Sequence, residues 1–262
     1  MKKYKIIAFD LDETIGHFEQ VSIFLNGMQN IIKTEITDKY LLKLLDIWPN
    51  IFRYKIFEVF KLIKAAKIKN HNIKVVIYTN NMGPRSWTLL IKKYIEKKIN
   101  FKLFDIVISA YRPHEKTNFR TGHEKTFKDL IRSIKCSEES EILFFDDVYH
   151  KYMKNNKLKY IKLIPYRYAV KSKKMIDDYV NSKENKLIYG LDIIPFKKIM
   201  LKFLNSGPDK YRIFSTPKRI NKKQHKLIIK TLYEFLDINQ KGGNRYTRKN
   251  KINMKKKSIK KR

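Results

Sequence analysis

The sequence predicts an α/β protein built on a parallel sheet covered by helices on both faces. Three observations carry this expectation. Short apolar runs recur through the first 165 residues, helical stripes lie between most of them, and several runs stop abruptly at polar or acidic residues. A chain of 262 residues is long enough to bury a full core, as one large domain or as one domain plus an appendage.

The first run, Tyr4 to Phe9, ends in Asp10-Leu11-Asp12-Glu13-Thr14, with Gly16 close behind. Continuous apolar character reads as a buried parallel strand, and its carboxyl end is where open α/β sheets place ligands. Residues 18–50 interrupt the alternation. They carry a helical stripe (Tyr40, Leu41, Leu44, Leu45, Trp48) and are expected to form a small cap or flap over that strand end. Ile51, Ile56, Phe57, Phe60, Ile63 and Ile68 recur at roughly helical spacing and lead into the second run, Ile73 to Tyr78. Trp87, Leu90, Ile91, Tyr94 and Ile95 form the next stripe, before the third run, Phe104 to Ile108. Phe127, Leu130, Ile131 and Ile134 follow i, i+3, i+4, i+7, with Thr126 as a helix cap. The fourth run, Ile142 to Phe145, ends in Asp146-Asp147, and the fifth, Tyr160 to Ile164, stops at Pro165. The expected organisation is a catalytic α/β unit over 1–168, a helical accessory region over 169–240 and a disordered basic tail over 241–262.

Three of the strand ends carry side chains suited to one chemistry. Two carboxylates on one loop can divide the labour of nucleophile or metal ligand and proton carrier. Thr79-Asn80-Asn81, after the second run, offers a hydroxyl and backbone N–H groups to a phosphate oxygen. Asp146 and Asp147 can complete an oxygen-rich site for Mg²⁺. Lys125, just ahead of the cap Thr126, could neutralise the carboxylate and phosphate charge.

In this order the motifs resemble those of the haloacid dehalogenase superfamily of phosphohydrolases, over about residues 4–165. The form Asp-Leu-Asp-Glu-Thr is similar to the branch of polymerase carboxy-terminal-domain phosphatases and nuclear LIM interactor-interacting-factor-like phosphatases. Tyr78 to Pro84, Arg120 to Thr126 and Phe145 to His150 look like phosphatase-like proteins of giant DNA viruses. The resemblance implies a Rossmann-like parallel sheet with a small cap insertion. It also implies Asp10 as nucleophile and Asp12 as general acid and base, with Mg²⁺ as cofactor. The metal would be held by Asp10, the Asp12 backbone carbonyl and Asp146, with Asp147 acting through a water. Thr79 and the Asn80 amide would hold phosphoryl oxygens. The third-motif lysine is Lys125 by helix-start reasoning; Lys128, followed by Asp129-Leu130, is the alternative suggested by the polymerase-tail enzymes. Those enzymes commonly carry Asn where this chain has Asp147. The implied substrate is a phosphoserine or phosphothreonine of a protein. A polynucleotide-end phosphatase is one alternative, and an idle fold that binds nucleic acid or an acidic partner is another.

Charge sharpens the last alternative. The chain has 59 Lys+Arg against 25 Asp+Glu, a net +34, and residues 241–262 hold 11 basic residues and no acid. Such a gradient suits a polyanionic partner, although lysine-rich codon usage would leave the same surplus on solvated faces. Cys136 is the only cysteine, which excludes an internal disulfide and a cysteine-based zinc site. The N-terminal apolar run is cut by Asp10, so no signal peptide is expected. No stretch reaches the ~18 apolar residues of a membrane span. The expectation is a soluble intracellular protein; a viral origin would place it in host cytoplasm, viral factory or virion. Arg53, Arg112 and Arg120 could read a substrate phosphate but on an already basic surface read as solvated; His123 and His150 read as loop or helix-edge residues, and Trp87 as core rather than substrate platform.

Overall fold

The five apolar runs become one all-parallel, five-stranded sheet. The structure, a computed structural model, describes residues 1–32, 36–113, 120–188, 190–206 and 215–238. The strands are β1 (Lys5–Phe9), β2 (Ile73–Tyr78), β3 (Ile106–Ile108), β4 (Glu141–Asp146) and β5 (Leu158–Lys162). Their spatial order is β3-β2-β1-β4-β5. The chain runs outward from β1 through β2 to β3, then returns to the other side of β1 for β4. The order therefore reverses beside β1, and a crevice opens there between strand ends. Register brings Phe9 level with Ile77 of β2 and with Phe145 of β4, so the residues following Phe9 and Phe145 leave the sheet side by side.

Alternation along the strands divides the core. Ile7, Phe9, Val75, Ile77, Leu143 and Phe145 point to one face, and Ile6, Ala8, Val76, Tyr78, Ile142 and Phe144 to the other. The second face is covered by α5 (Phe127–Ile134), whose stripe Phe127, Leu130, Ile131 and Ile134 is buried. The first face carries α3 (Ile56–Lys69) and α4 (Arg85–Ile99). Both faces are buried, which is why the strands read as unbroken apolar runs.

The insertion forms α1 (Glu19–Ile32) and α2 (Asp38–Leu44). Beyond β5 come α6 (Ser172–Val180), α7 (Ile193–Asn205) and α8 (Lys218–Phe235). These regions, far apart in sequence, pack together. Gly27 of α1 faces Met200 and Phe203 of α7, where an added Cβ would come within 3.1–3.2 Å. Phe24 stacks edge-on against Trp48 and Tyr179. Met200, Leu204, Ile228 and Leu232 share one continuous core with Phe9 and Phe145. The helical region thus buries its apolar face on the same core as the sheet.

Two local expectations change. Ile51 belongs to a short 3₁₀ turn, Pro49–Ile51, because Lys55 takes a left-handed conformation (φ 59°) and α3 starts only at Ile56. Ile68 sits on the exposed side of α3. The tail expected over 241–262 lies outside the described residues. No helix among the described residues is long and apolar enough to cross a membrane.

Candidate active site

The loop after β1 is fixed by its own backbone. Asp10 N donates to the Phe145 carbonyl at 2.9 Å, the last sheet-like bond before the chain turns. Glu13 then adopts a left-handed conformation (φ 53°), and its N–H donates to Gly16 O at 2.7 Å. Gly16 bridges to both Asp12 and Phe52. A Cβ there would stand 2.5 Å from the Phe18 ring and 2.6 Å from Ile51 O, so only glycine fits. Leu11 and Ile15 drop into the core while Asp10 and Asp12 turn to the crevice.

A buried arginine ties this loop down. Arg53 is 3% exposed. It donates from Nε to Thr14 O and from Nη2 to Glu13 O, both at 2.5 Å, and from Nη2 to Ile164 O at 3.0 Å. Its guanidinium lies over the Tyr166 ring, and Tyr166 N donates to Glu13 O. The expectation of a solvated Arg53 is therefore overturned: the Glu13, Thr14 and Ile164 carbonyls form a buried acceptor nest that its Nε and Nη2 fill, with Tyr166 N sharing Glu13 O. Burial lowers its pKa to about 10, still far above neutrality.

Lys125 occupies the centre. Its Nζ donates to Asp10 Oδ1 at 2.6 Å and to Asp146 Oδ2 at 2.7 Å, and the residue is 1% exposed. Burial opposes its charge, but Asp10 and Asp146 outweigh burial and hold the ammonium above its ordinary pKa. It is aimed by the start of α5: Thr126 Oγ1 accepts from Asp129 N at 3.0 Å, and Thr126 N donates to the Tyr78 hydroxyl at 2.9 Å. Lys128, one turn in, is exposed on the outside of α5. Helix-start reasoning selected the lysine that reaches the carboxylates.

Carboxylates surround that ammonium. Oxygen atoms of Asp10, Asp146 and Asp147 lie within 4.8 Å of one another. Asp147 accepts from the Thr14 hydroxyl at 3.0 Å, and Asp146 from Val148 N at 2.8 Å. Burial pushes Asp147 up to about 6, with Asp10 adding to the rise. Burial also raises Asp146, against the pull of Lys125. Asp12 stands at the crevice side, its Oδ2 accepting from Asn81 Nδ2 at 2.7 Å. Burial raises its pKa to about 6; the Asn81 bond lowers it and Asp10 raises it. Burial thus raises Asp12, Asp146 and Asp147, while the one buried ammonium pairs directly with Asp10 and Asp146 alone. An all-oxygen donor set short of positive charge fits a hard divalent cation such as Mg²⁺.

The second strand end is divided. Thr79 is buried, its Oγ1 accepting from Asn81 N at 3.0 Å. The Asn80 side chain turns away to accept from Arg120 Nη1 at 2.6 Å. Arg120 also donates to His123 O at 2.6 Å and lies over Tyr78; it is buried, not solvated. Arg112 stays nearer the surface and donates to Gly83 O at 2.6 Å.

Three residues take roles here that the sequence did not assign them. Asn81 holds Asp12, and Arg53 holds the loop. His150 places Nε2 3.5 Å from Asp146 Oδ2, and burial lowers its pKa, so it presents a neutral ring at neutral pH. Its i+4 spacing from Asp146 was the only available signal. His123 remains exposed, its ring edge-on to Tyr111.

A cleft of about 820 Å³ leads from Asp12 and Glu13 along α1 and α2 to the Asn81–Leu90 segment. Phe18, Ile23, Ile36, Leu41, Met82 and Trp87 supply apolar walls. Trp87 is half-buried against Phe18 and lines the cleft as well as the core.

Comparison with protein-family models, curated proteins and solved structures found no match to this chain. Function therefore rests on the chemistry of the crevice.

Proposed function

We propose that this protein is a Mg²⁺-dependent phosphatase of the haloacid dehalogenase kind, acting through an aspartyl-phosphate. One observation carries the reading. Three buried carboxylates and a buried lysine converge at the topological switch point of a parallel sheet, with a fourth, protonatable carboxylate at the mouth of a cleft.

Asp10 attacks phosphorus, so the Asp10 Oδ–P bond forms as the ester P–O bond breaks. Asp12, protonated through its raised pKa, gives its proton to the departing oxygen. Water then attacks the aspartyl-phosphate, Asp12 takes back a proton, and phosphate leaves with Asp10 restored. Asn81 keeps Asp12 on the crevice side, and the Lys125 ammonium offsets charge beside Asp10. Asp10, Asp146 and Asp147 would hold Mg²⁺, which when bound supplies positive charge against the phosphoryl oxygens. Thr79 and the Asn80 N–H stand at the neighbouring strand end for those oxygens.

The cleft supports a phosphorylated protein over a polynucleotide end as substrate. Its walls are largely apolar and carry Glu19 and Asp38; no lysine or arginine lines it among the described side chains. A phosphodiester chain would lie against carboxylates there, whereas peptide side chains suit apolar walls. Mg²⁺-dependent phosphate release should be faster from phosphoserine or phosphothreonine peptides than from 5′- or 3′-phosphorylated oligonucleotides. Preference for the oligonucleotides would overturn the substrate class, and no release from any phosphoester would overturn the activity.

A further inference from the structure

We infer that a second groove, lined by none of the catalytic residues, binds the sugar-phosphate backbone of a nucleic acid. It has a volume of about 570 Å³ and lies between the residues preceding α3 and the N-terminal half of α8. Lys55, Lys218, Arg219, Lys222, Lys223 and Lys226 line it, all exposed, with Tyr54 and His225 completing the wall.

The charge in this groove is left unmatched. Several lysines elsewhere do have acidic partners: Lys67 with Asp105, Lys92 with Glu96, Lys98 with Asp46 and Lys157 with Glu139. Of the six groove cations, only Lys55 has an ion-pair partner among the described residues, Glu58 at 2.9 Å. Six like charges crowded around one concavity repel one another, and a bound polyanion would relieve that repulsion. Pro217 holds the N-cap position of α8 without a side-chain capping bond, and the positive end of the helix dipole adds to the same field. His225, largely buried, leaves Nδ1 with no hydrogen-bond partner among the described residues.

Shape and composition favour a nucleic-acid strand. The cations sit on the walls of a recess, which a flat bilayer surface cannot enter but a strand can follow. From Lys218 to Lys226 the helix rises ~12 Å, enough to meet several successive phosphates of one strand. Lysine supplies point charges without base selectivity, and Tyr54 offers an aromatic surface beside them. The expected binding is salt-sensitive and indifferent to sequence.

Fluorescence anisotropy of the full chain with a labelled single-stranded 20-nucleotide oligomer tests this across a salt series. Lys222→Ala/Lys223→Ala and, separately, Lys218→Ala/Arg219→Ala should each weaken binding at least tenfold at low salt. Each should also flatten the log–log salt slope by roughly 1.4, the loss of two cations. Lys97→Ala/Lys102→Ala, an equal charge loss on exposed residues elsewhere, should change affinity less than twofold. All variants keep residues 241–262, so binding through that basic segment is common to them. Groove variants no weaker than the control pair would overturn the inference. Displacement by polyglutamate as effective as by unlabelled oligomer at equal charge would overturn it in favour of an acidic peptide.

Discussion

Lys125 Nζ lies 2.6 Å from Asp10 Oδ1, and the same nitrogen reaches Asp146 at 2.7 Å, so one buried ammonium joins the ends of β1 and β4. The two strands are hydrogen-bonded neighbours whose acidic ends would repel without it.

That arrangement separates the two candidate lysines. Lys125→Met leaves buried carboxylates without their counter-charge and should cost about 3–5 kcal/mol of stability at pH 7. Phosphatase activity should fall at least a hundredfold. Lys128→Ala, on an exposed face, should stay within about 0.5 kcal/mol of wild type with activity intact. Thermal denaturation with activity assays reads both, and equal effects would contradict the assignment.

The raised carboxylates set a pH dependence for the metal-free protein. Asp147 and Asp12 bind a proton more tightly folded (about 6 each) than at the ordinary value of 3.8. Between those values the native state holds more protons, so this contribution to stability is fully present below about pH 4 and is lost as pH rises through about 6. Denaturant melts from pH 4 to 7 should therefore show a decline that Asp147→Asn partly removes. Mg²⁺ should restore stability at pH 7, because it favours the ionised carboxylates. A stability that rises over this window equally in wild type and Asp147→Asn would contradict the assignment.

Asn81 tunes the proposed acid. Its hydrogen bond favours ionised Asp12, so Asn81→Ala should raise the Asp12 pKa further. With a poor leaving group, turnover requires protonated Asp12 and should decline above about pH 6 in wild type. In Asn81→Ala that limb should move to higher pH. A pH–rate profile on an alkyl phosphate measures this; an unmoved limb would separate Asn81 from the acid.

Arg53 is a positioning residue that touches no reacting group. Arg53→Met strands the buried carbonyls of Thr14 and Ile164, leaves Glu13 O with Tyr166 N alone, and should destabilise by about 2–3 kcal/mol. Loosening the Asp10–Thr14 loop should lower kcat more than it raises KM. Arg53→Lys should recover part of the stability, since a lysine reaches one carbonyl but cannot fork.

The strand ends were legible because a parallel strand buried on both faces leaves an unbroken apolar run, and any charge at its end stands out. Asp10, Asp12, Asp146 and Asp147 carry that contrast, and Thr126 announced the helix start that aims Lys125. Arg53 was not legible: within Ile51-Phe52-Arg53-Tyr54 nothing local reveals that its partners are carbonyls of Glu13, Thr14 and Ile164. The packing of α1 on α7 was hidden for the same reason, since both stripes fit any apolar neighbour. Asn81 differed from Asn80 only in which way a turn directed its side chain.

The central claim is that Asp10 is the nucleophile of a Mg²⁺-dependent phosphatase. Hydrolysis of para-nitrophenyl phosphate by wild type and Asp10→Asn, with Mg²⁺ and with excess chelator, tests it most directly. Wild type should turn over with Mg²⁺ and not with chelator, and a folded Asp10→Asn should lose at least a thousandfold. Turnover by Asp10→Asn equal to wild type, or a folded, Mg²⁺-supplied wild type inactive on this and other phosphoesters, would contradict it.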